Sequence, residues 1–136
     1  MSTPALLTWE SLTLRLRKPF TVSYGSSETR QAFWVRLAGD EGWGEGTIPP
    51  YYGIDPDEMI AVWARAAQSR RPLPDDPAEI ADWVGVEGPA AARSALDLAL
   101  HDRIAMRPRI RAYLASGKRI AFNEHGIFRR YKALDR

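Results

Sequence analysis

Three features of this 136-residue sequence predict an α+β fold, a three-stranded antiparallel meander followed by a small helical bundle. Apolar residues alternate with period two before Pro49, and they recur at helical spacing after it. Asp-Pro pairs at Asp55 and Asp76 have the form of helix starts. Strands first and helices afterwards give segregated layers, not alternating βαβ units.

Each element follows from its own residues. Trp9 to Arg17 places Leu12, Leu14 and Leu16 on one side and Thr13, Arg15 and Arg17 on the other, a half-buried strand that Pro19 is expected to end. Gln31 to Leu37 repeats the pattern with Phe33, Val35 and Leu37, and the polar stretch Ser23 to Arg30 would connect the two strands. The turn sequence Gly39 to Gly42 leads into a third strand, Trp43 to Ile48. Asp55, Pro56 and Glu58 supply a cap, a first-turn proline and an acidic third position, after which Ile60, Trp63, Ala64 and Ala67 form a stripe. Asp76, Pro77 and Glu79 repeat the signal for a short helix through Ile80, Trp83 and Val84, closed by Gly85. Gly88 and Pro89 open an alanine-rich helix to Ala105, with Ala92, Leu96, Ala99, Leu100 and Ile104 on one face and Arg93, Asp97 and His101 on another.

Composition sets outer bounds. At 45% hydrophobic and 26% charged residues the chain is ordinary globular protein, and with no cysteine it has neither a disulfide framework nor a thiolate ligand or nucleophile. No basic-then-apolar leader and no membrane-length apolar run is present, so a cytoplasmic location is expected. The net charge of +2 conceals a division. Residues 1–106 carry 10 Lys and Arg against 15 Asp and Glu, a net of −5, whereas 107–136 carry 9 against 2, a net of +7. The sequence therefore divides into a domain at 1–106 and a divergent basic tail at 107–136.

The segments Lys18–Arg30 (KPFTVSYGSSETR), Gly42–Gly46 (GWGEG) and Arg93–Ala105 (RSALDLALHDRIA) resemble, in order and spacing, the N-terminal capping domain of enolase-superfamily enzymes. The likeness is to the mandelate racemase and muconate-lactonizing type, with PFTVS and GSSETR pointing to the dipeptide epimerases. It covers roughly residues 6 to 105. It implies a meander on a helical bundle, seated over the mouth of a (β/α)8 barrel that itself needs about 250 residues. It also implies that two cap loops, about Thr21–Arg30 and Ile48–Asp55, reach the substrate; the residues so marked are Tyr24, Gly25, Tyr51, Tyr52 and Ile54. Many dipeptide epimerases have Arg where this chain has Tyr24, which argues against a substrate with an acidic side chain. The bland account is that these tyrosines cover the edge of the core with their hydroxyls in water.

The family chemistry removes a proton α to a carboxylate, using a metal ion and opposed lysines on the barrel. No catalytic residue and no metal ligand of that kind can be assigned here, since the lysines are Lys18, Lys118 and Lys132. No cofactor is expected on this chain, and magnesium is implied only together with a barrel. Other patterns are weaker. Asp97 and His101 have the spacing of two ligands on a helix face, but Arg93 and Asp97 read as an ordinary ion pair, and one histidine without a third ligand makes a poor site. Gly42, Gly44 and Gly46 lack the Lys-Ser/Thr ending of a phosphate loop. His125 falls in the tail and suggests no role.

After Met106-Arg107-Pro108 the chain departs from the linker that leads family members into the barrel, as a frame shift or a built truncation would produce. The leading expectation is thus a capping domain, inactive alone. The alternative is one subunit of a split enzyme, with a barrel-containing chain as partner; self-association through an uncovered apolar face is a further expectation. A nucleic-acid module, through Phe122, Phe128 and Tyr131 among the basic charges of the tail, is the third reading. No recognition motif accompanies it, so no specific nucleic acid and no membrane partner is expected.

Overall fold

The computed structural model describes residues 6–38 and 40–115, of which 107–115 are described as backbone. It is an α+β fold. Strands β1 (Leu7–Val22), β2 (Gly25–Leu37) and β3 (Gly42–Ile48) form one antiparallel sheet in the order β1-β2-β3. Helices α1 (Pro56–Gln68), α2 (Ile80–Val84) and α3 (Ala90–Ala115) follow, with a 3-10 turn at Pro77–Glu79 leading into α2.

The helix starts are those the Asp-Pro pairs announce. Asp55 Oδ1 accepts from the Asp57 N–H at 2.8 Å and Asp76 Oδ1 from the Ala78 N–H at 2.9 Å, each satisfying a donor that the first turn leaves unpaired. Gly85 ends α2 at φ +75°, a left-handed conformation that suits glycine. The buried stripe of α1 is Met59, Val62, Trp63 and Ala66, so α1 is rotated slightly from the Ile60, Ala64, Ala67 face that spacing suggests; Ile60 and Ala67 flank the core. Trp63 is fully buried, edge-on to Phe33 with centroids 5.1 Å apart, and its Nε1 donates to the Ala92 carbonyl at 3.0 Å. That bond locks α1 to α3.

The glycines of β3 explain how α3 sits. Gly42, Gly44 and Gly46 pair with Leu37, Val35 and Phe33, on the sheet face that looks at the helices. A Cβ on Gly44 would run into the Ala95 carbonyl and one on Gly42 into that of Ala99; on Gly46 it would stand 3.0 Å from the Met59 methyl and 3.1 Å from the Ala91 carbonyl. Glycine on the strand and alanine every fourth residue on the helix let two backbones meet with no side chain between them. The three glycines are a seat for α3. On that helix Ala92, Leu96, Ala99 and Leu100 are buried, as their spacing predicts.

Three expectations are corrected. First, β1 does not end at Pro19: pairing lapses after Arg15↔Thr29 and resumes at Phe20↔Ser27, so the proline, which cannot donate to the ladder, produces a register shift instead of a stop. Likewise β2 begins at Gly25, and the connector expected from Ser23 to Arg30 shrinks to the turn Ser23-Tyr24. Second, Leu12 and Leu14 of β1 do not face the core, which the strand meets through Leu7 and Trp9. Trp9 pairs with Val35 and its ring stands 6.4 Å from Trp63, so by alternation Leu12 and Leu14 lie on the opposite face, where Leu14 is 39% exposed. Third, Arg93 donates to the Gly88 carbonyl, and Asp97 is instead the partner of His101. Helix α3 also continues by its backbone past Pro108 to Ala115, across the 106/107 boundary; residues 116–136, and with them His125 and most of the basic tail, lie outside the described residues.

Candidate functional site

Strand β3 pairs with β2 only from Gln31 to Leu37. Beyond that, β1 and β2 leave the sheet as a two-stranded arm ending in the turn at Ser23-Tyr24. Polar contacts tie its strands together: Thr21 Oγ1 lies 3.0 Å from Ser26 Oγ, and Gln31 Nε2 donates to Thr13 Oγ1 at 3.1 Å. A two-stranded ribbon is marginal in water on its own, so the arm needs side-chain support from elsewhere.

That support comes from the segment joining β3 to α1. The Tyr51 ring lies edge-on to Tyr24 at 5.4 Å and tilted against Phe20 at 6.3 Å. Phe20 in turn carries the Arg30 guanidinium 5.6 Å from its ring centre, a cation–π contact. The two loops that the sequence singles out are thereby brought into contact, and Tyr24 nonetheless stays 77% exposed. Two polar atoms in this cluster are buried without a hydrogen-bond partner, Arg30 Nη1 and Tyr51 Oη. Native structures seldom leave such atoms unpaired.

The other marked residues divide from this cluster. Gly25 follows the hairpin turn, with open space around its Cα. Tyr52 is 76% exposed and its N–H closes a turn onto the Pro49 carbonyl at 3.3 Å. With Gly53 and Ile54 it lines a separate shallow cavity of about 520 Å³, whose far wall holds Arg65 and Glu87 in an exposed ion pair at 3.5 Å. Phe20 and Arg30 were not singled out in the sequence. Both lie in the segments that carry the family resemblance, and an arginine closing an otherwise small, polar hairpin was the available signal.

The third helix supplies scaffold. Asp102 is buried and accepts from the Trp43 backbone N–H at 2.8 Å, fixing the start of β3 to α3. Arg103, also buried, donates to Glu41 at 3.2 Å, to the Pro74 carbonyl at 2.9 Å and to Asp75 at 3.2 Å, so one side chain ties the β2–β3 turn and the α1–α2 connection to α3. His101 Nδ1 stands 3.0 Å from the Asp97 carbonyl oxygen and 3.2 Å from its carboxylate. Among the described residues no three His, Asp or Glu side chains are grouped to hold a metal ion. No helix among them is long and apolar enough to cross a membrane.

No protein-family model matches the chain, and no curated protein matches it. Among solved structures the chain is similar to the crystal structure of a dipeptide epimerase from Enterococcus faecalis V583 complexed with Mg and the dipeptide L-Leu-L-Tyr. The TM-score is 0.62 at 21% sequence identity, over 76% of this chain and 31% of that one. The chain thus spans about a third of the length of that enzyme. Its sheet and helices share the fold of the matching part of that structure.

Proposed function

We propose that this chain is the capping portion of an enolase-superfamily enzyme of the dipeptide-epimerase kind, shaping substrate choice for a barrel carried elsewhere, on the same polypeptide or a separate one. The observation that carries the reading is the contact between Tyr24 and Tyr51, which joins the two segments that the family resemblance implies as substrate-facing. The fold similarity to part of a dipeptide epimerase supports it. Proton abstraction next to a carboxylate needs a metal ion or an equivalent charge beside the developing enediolate. That chemistry belongs to the barrel in this reading, and the chain alone is inactive.

Two measurements test it. Purified chain with magnesium should leave the α-proton of L-Ala-L-Glu and other dipeptides unexchanged in deuterated water; exchange that tracks the protein through purification would overturn the inactive-alone reading. Grafted in place of the corresponding part of the E. faecalis enzyme, the chain should give magnesium-dependent exchange with an altered dipeptide preference. A chimera that folds and binds magnesium but exchanges no dipeptide would overturn the capping role.

A further inference from the structure

We infer that two copies of this chain associate edge to edge through β1, antiparallel about a twofold axis at Leu14, so that their sheets join into one of six strands. The surface is the outer edge of β1, a strand of 16 residues that pairs with β2 on one side and, among the described residues, with no strand on the other. One bond fixes which groups line that edge. The Ala38 N–H donates to the Leu6 carbonyl at 2.8 Å, which makes 6↔38 a hydrogen-bonded pair; by alternation along the ladder, the even residues of β1 turn their backbone groups to β2. The N–H and C=O groups of Trp9, Ser11, Thr13 and Arg15 therefore point outward. Pairing with β2 also lapses between Arg15 and Phe20, so the extended run Leu16 to Pro19 has no partners on that side either. An edge of this kind is a template for a further strand.

The charges on the strand commit that strand to a second copy of itself and select the register. Hydrogen-bonded pairs must join odd residues to odd, so the axis falls on a residue. An axis at Leu12 sets Glu10 against Leu14, one at Thr13 sets Glu10 against Leu16, and one at Arg15 sets two arginines against each other. An axis at Leu14 sets Glu10 against Lys18, Leu12 against Leu16 and Leu14 against itself, with Thr13 opposite Arg15 and Ser11 opposite Arg17. Opposite charges and apolar pairs facing one another stabilise a ladder, and like charges oppose it. The groups are accessible for this: Glu10 and Lys18 are exposed, Leu12 and Leu16 half-buried, and Leu14 is 39% exposed. Pro19 falls opposite Trp9, where its missing N–H ends the ladder. Helix α1 meets β1 at Trp9, five residues from the axis, which puts the two α1 helices at opposite ends of the seam. The two arms, each marginal as a ribbon of two strands, gain neighbours at their roots.

The test is sedimentation equilibrium of the full-length chain from about 1 to about 200 µM, with amide exchange read by NMR at both ends of the range. A seam of this size should give a dimer with a Kd of about 10 µM. The N–H groups of Ser11, Thr13, Arg15 and Arg17 should exchange about tenfold more slowly at the high concentration, while those of Leu12 and Leu14, already bonded to β2, stay unchanged. Leu14→Lys, which sets two cations together on the axis at an exposed position, should weaken the dimer by about tenfold or more. Glu10→Lys and Lys18→Glu should each weaken it about fivefold, and the two combined should restore it. A monomer throughout the range would overturn the proposal, and no variant need fold for that result. A monomer with slow edge amides would do so as well, giving the edge to residues 116–136 of the same chain. So would a dimer whose β1 exchange ignores concentration, or a double charge swap as weak as the single ones.

Discussion

The seat of α3 and the β1–β2 arm are built from the same sheet on opposite terms. In the seat, Gly42, Gly44 and Gly46 bring β3 against the backbone of α3 with no intervening side chain, and the buried polar groups Asp102 and Arg103 are paired. In the arm, one strand pairing and three aromatic rings do the work, and two buried donors have no acceptor. The contrast places the stability of the fold in the seat.

Substitutions can break that contrast. The largest effect is expected from Gly44→Ala, which places a methyl group where the Ala95 carbonyl stands; two backbones would have to separate, and urea unfolding should show a loss of about 3 kcal/mol. A loss below 1 kcal/mol would mean that α3 is not seated on the strand as described. Arg103→Met comes next. It keeps the bulk and the packing of the stem but leaves the Pro74 carbonyl without its donor, while Glu41 and Asp75 sit near enough to the surface to be solvated. A loss of about 2 kcal/mol is expected, with the α1–α2 connection showing faster amide exchange. The smallest effect should come from the arm: Tyr51→Phe removes a hydroxyl that has no partner, so ligand-free stability should stay the same or rise by up to about 1 kcal/mol. A loss of 1 kcal/mol or more would show that Tyr51 Oη is paired after all and would erase the difference between the regions.

Local chemistry was legible in the sequence and long-range register was not. Asp55 and Asp76 announce their helices because a cap is decided within four residues, and the period-two run Phe33, Val35, Leu37 marks a core-facing strand because its neighbours on both sides are short-range in the meander. Leu12 and Leu14 of β1 misled for the opposite reason. Alternation says that two faces differ but leaves open which is inward, and here the pairing Trp9↔Val35 decides it, turning Leu12 and Leu14 away from the helices. Pro19 misled because a strand can pass a proline by giving up pairing for a few residues. Of the site residues, Tyr24 and Tyr51 meet, whereas Tyr52 and Ile54, their near neighbours in sequence, line another cavity. Arg30 could not be distinguished from an ordinary surface arginine until its burial against Phe20 was visible.

The partial pairing of β2 has a consequence for how such a protein can diverge. From Gln31 onward this strand is held on both sides; from Gly25 to Arg30 it is held on one. Replacements in the outer stretch act on a ribbon that contributes little to the glycine and alanine packing, so they can accumulate without dismantling the domain. Variation in what the arm contacts is thereby uncoupled from variation in whether the chain folds. A lineage carrying this architecture can rewrite about ten hairpin residues while the base on which the hairpin stands is left untouched.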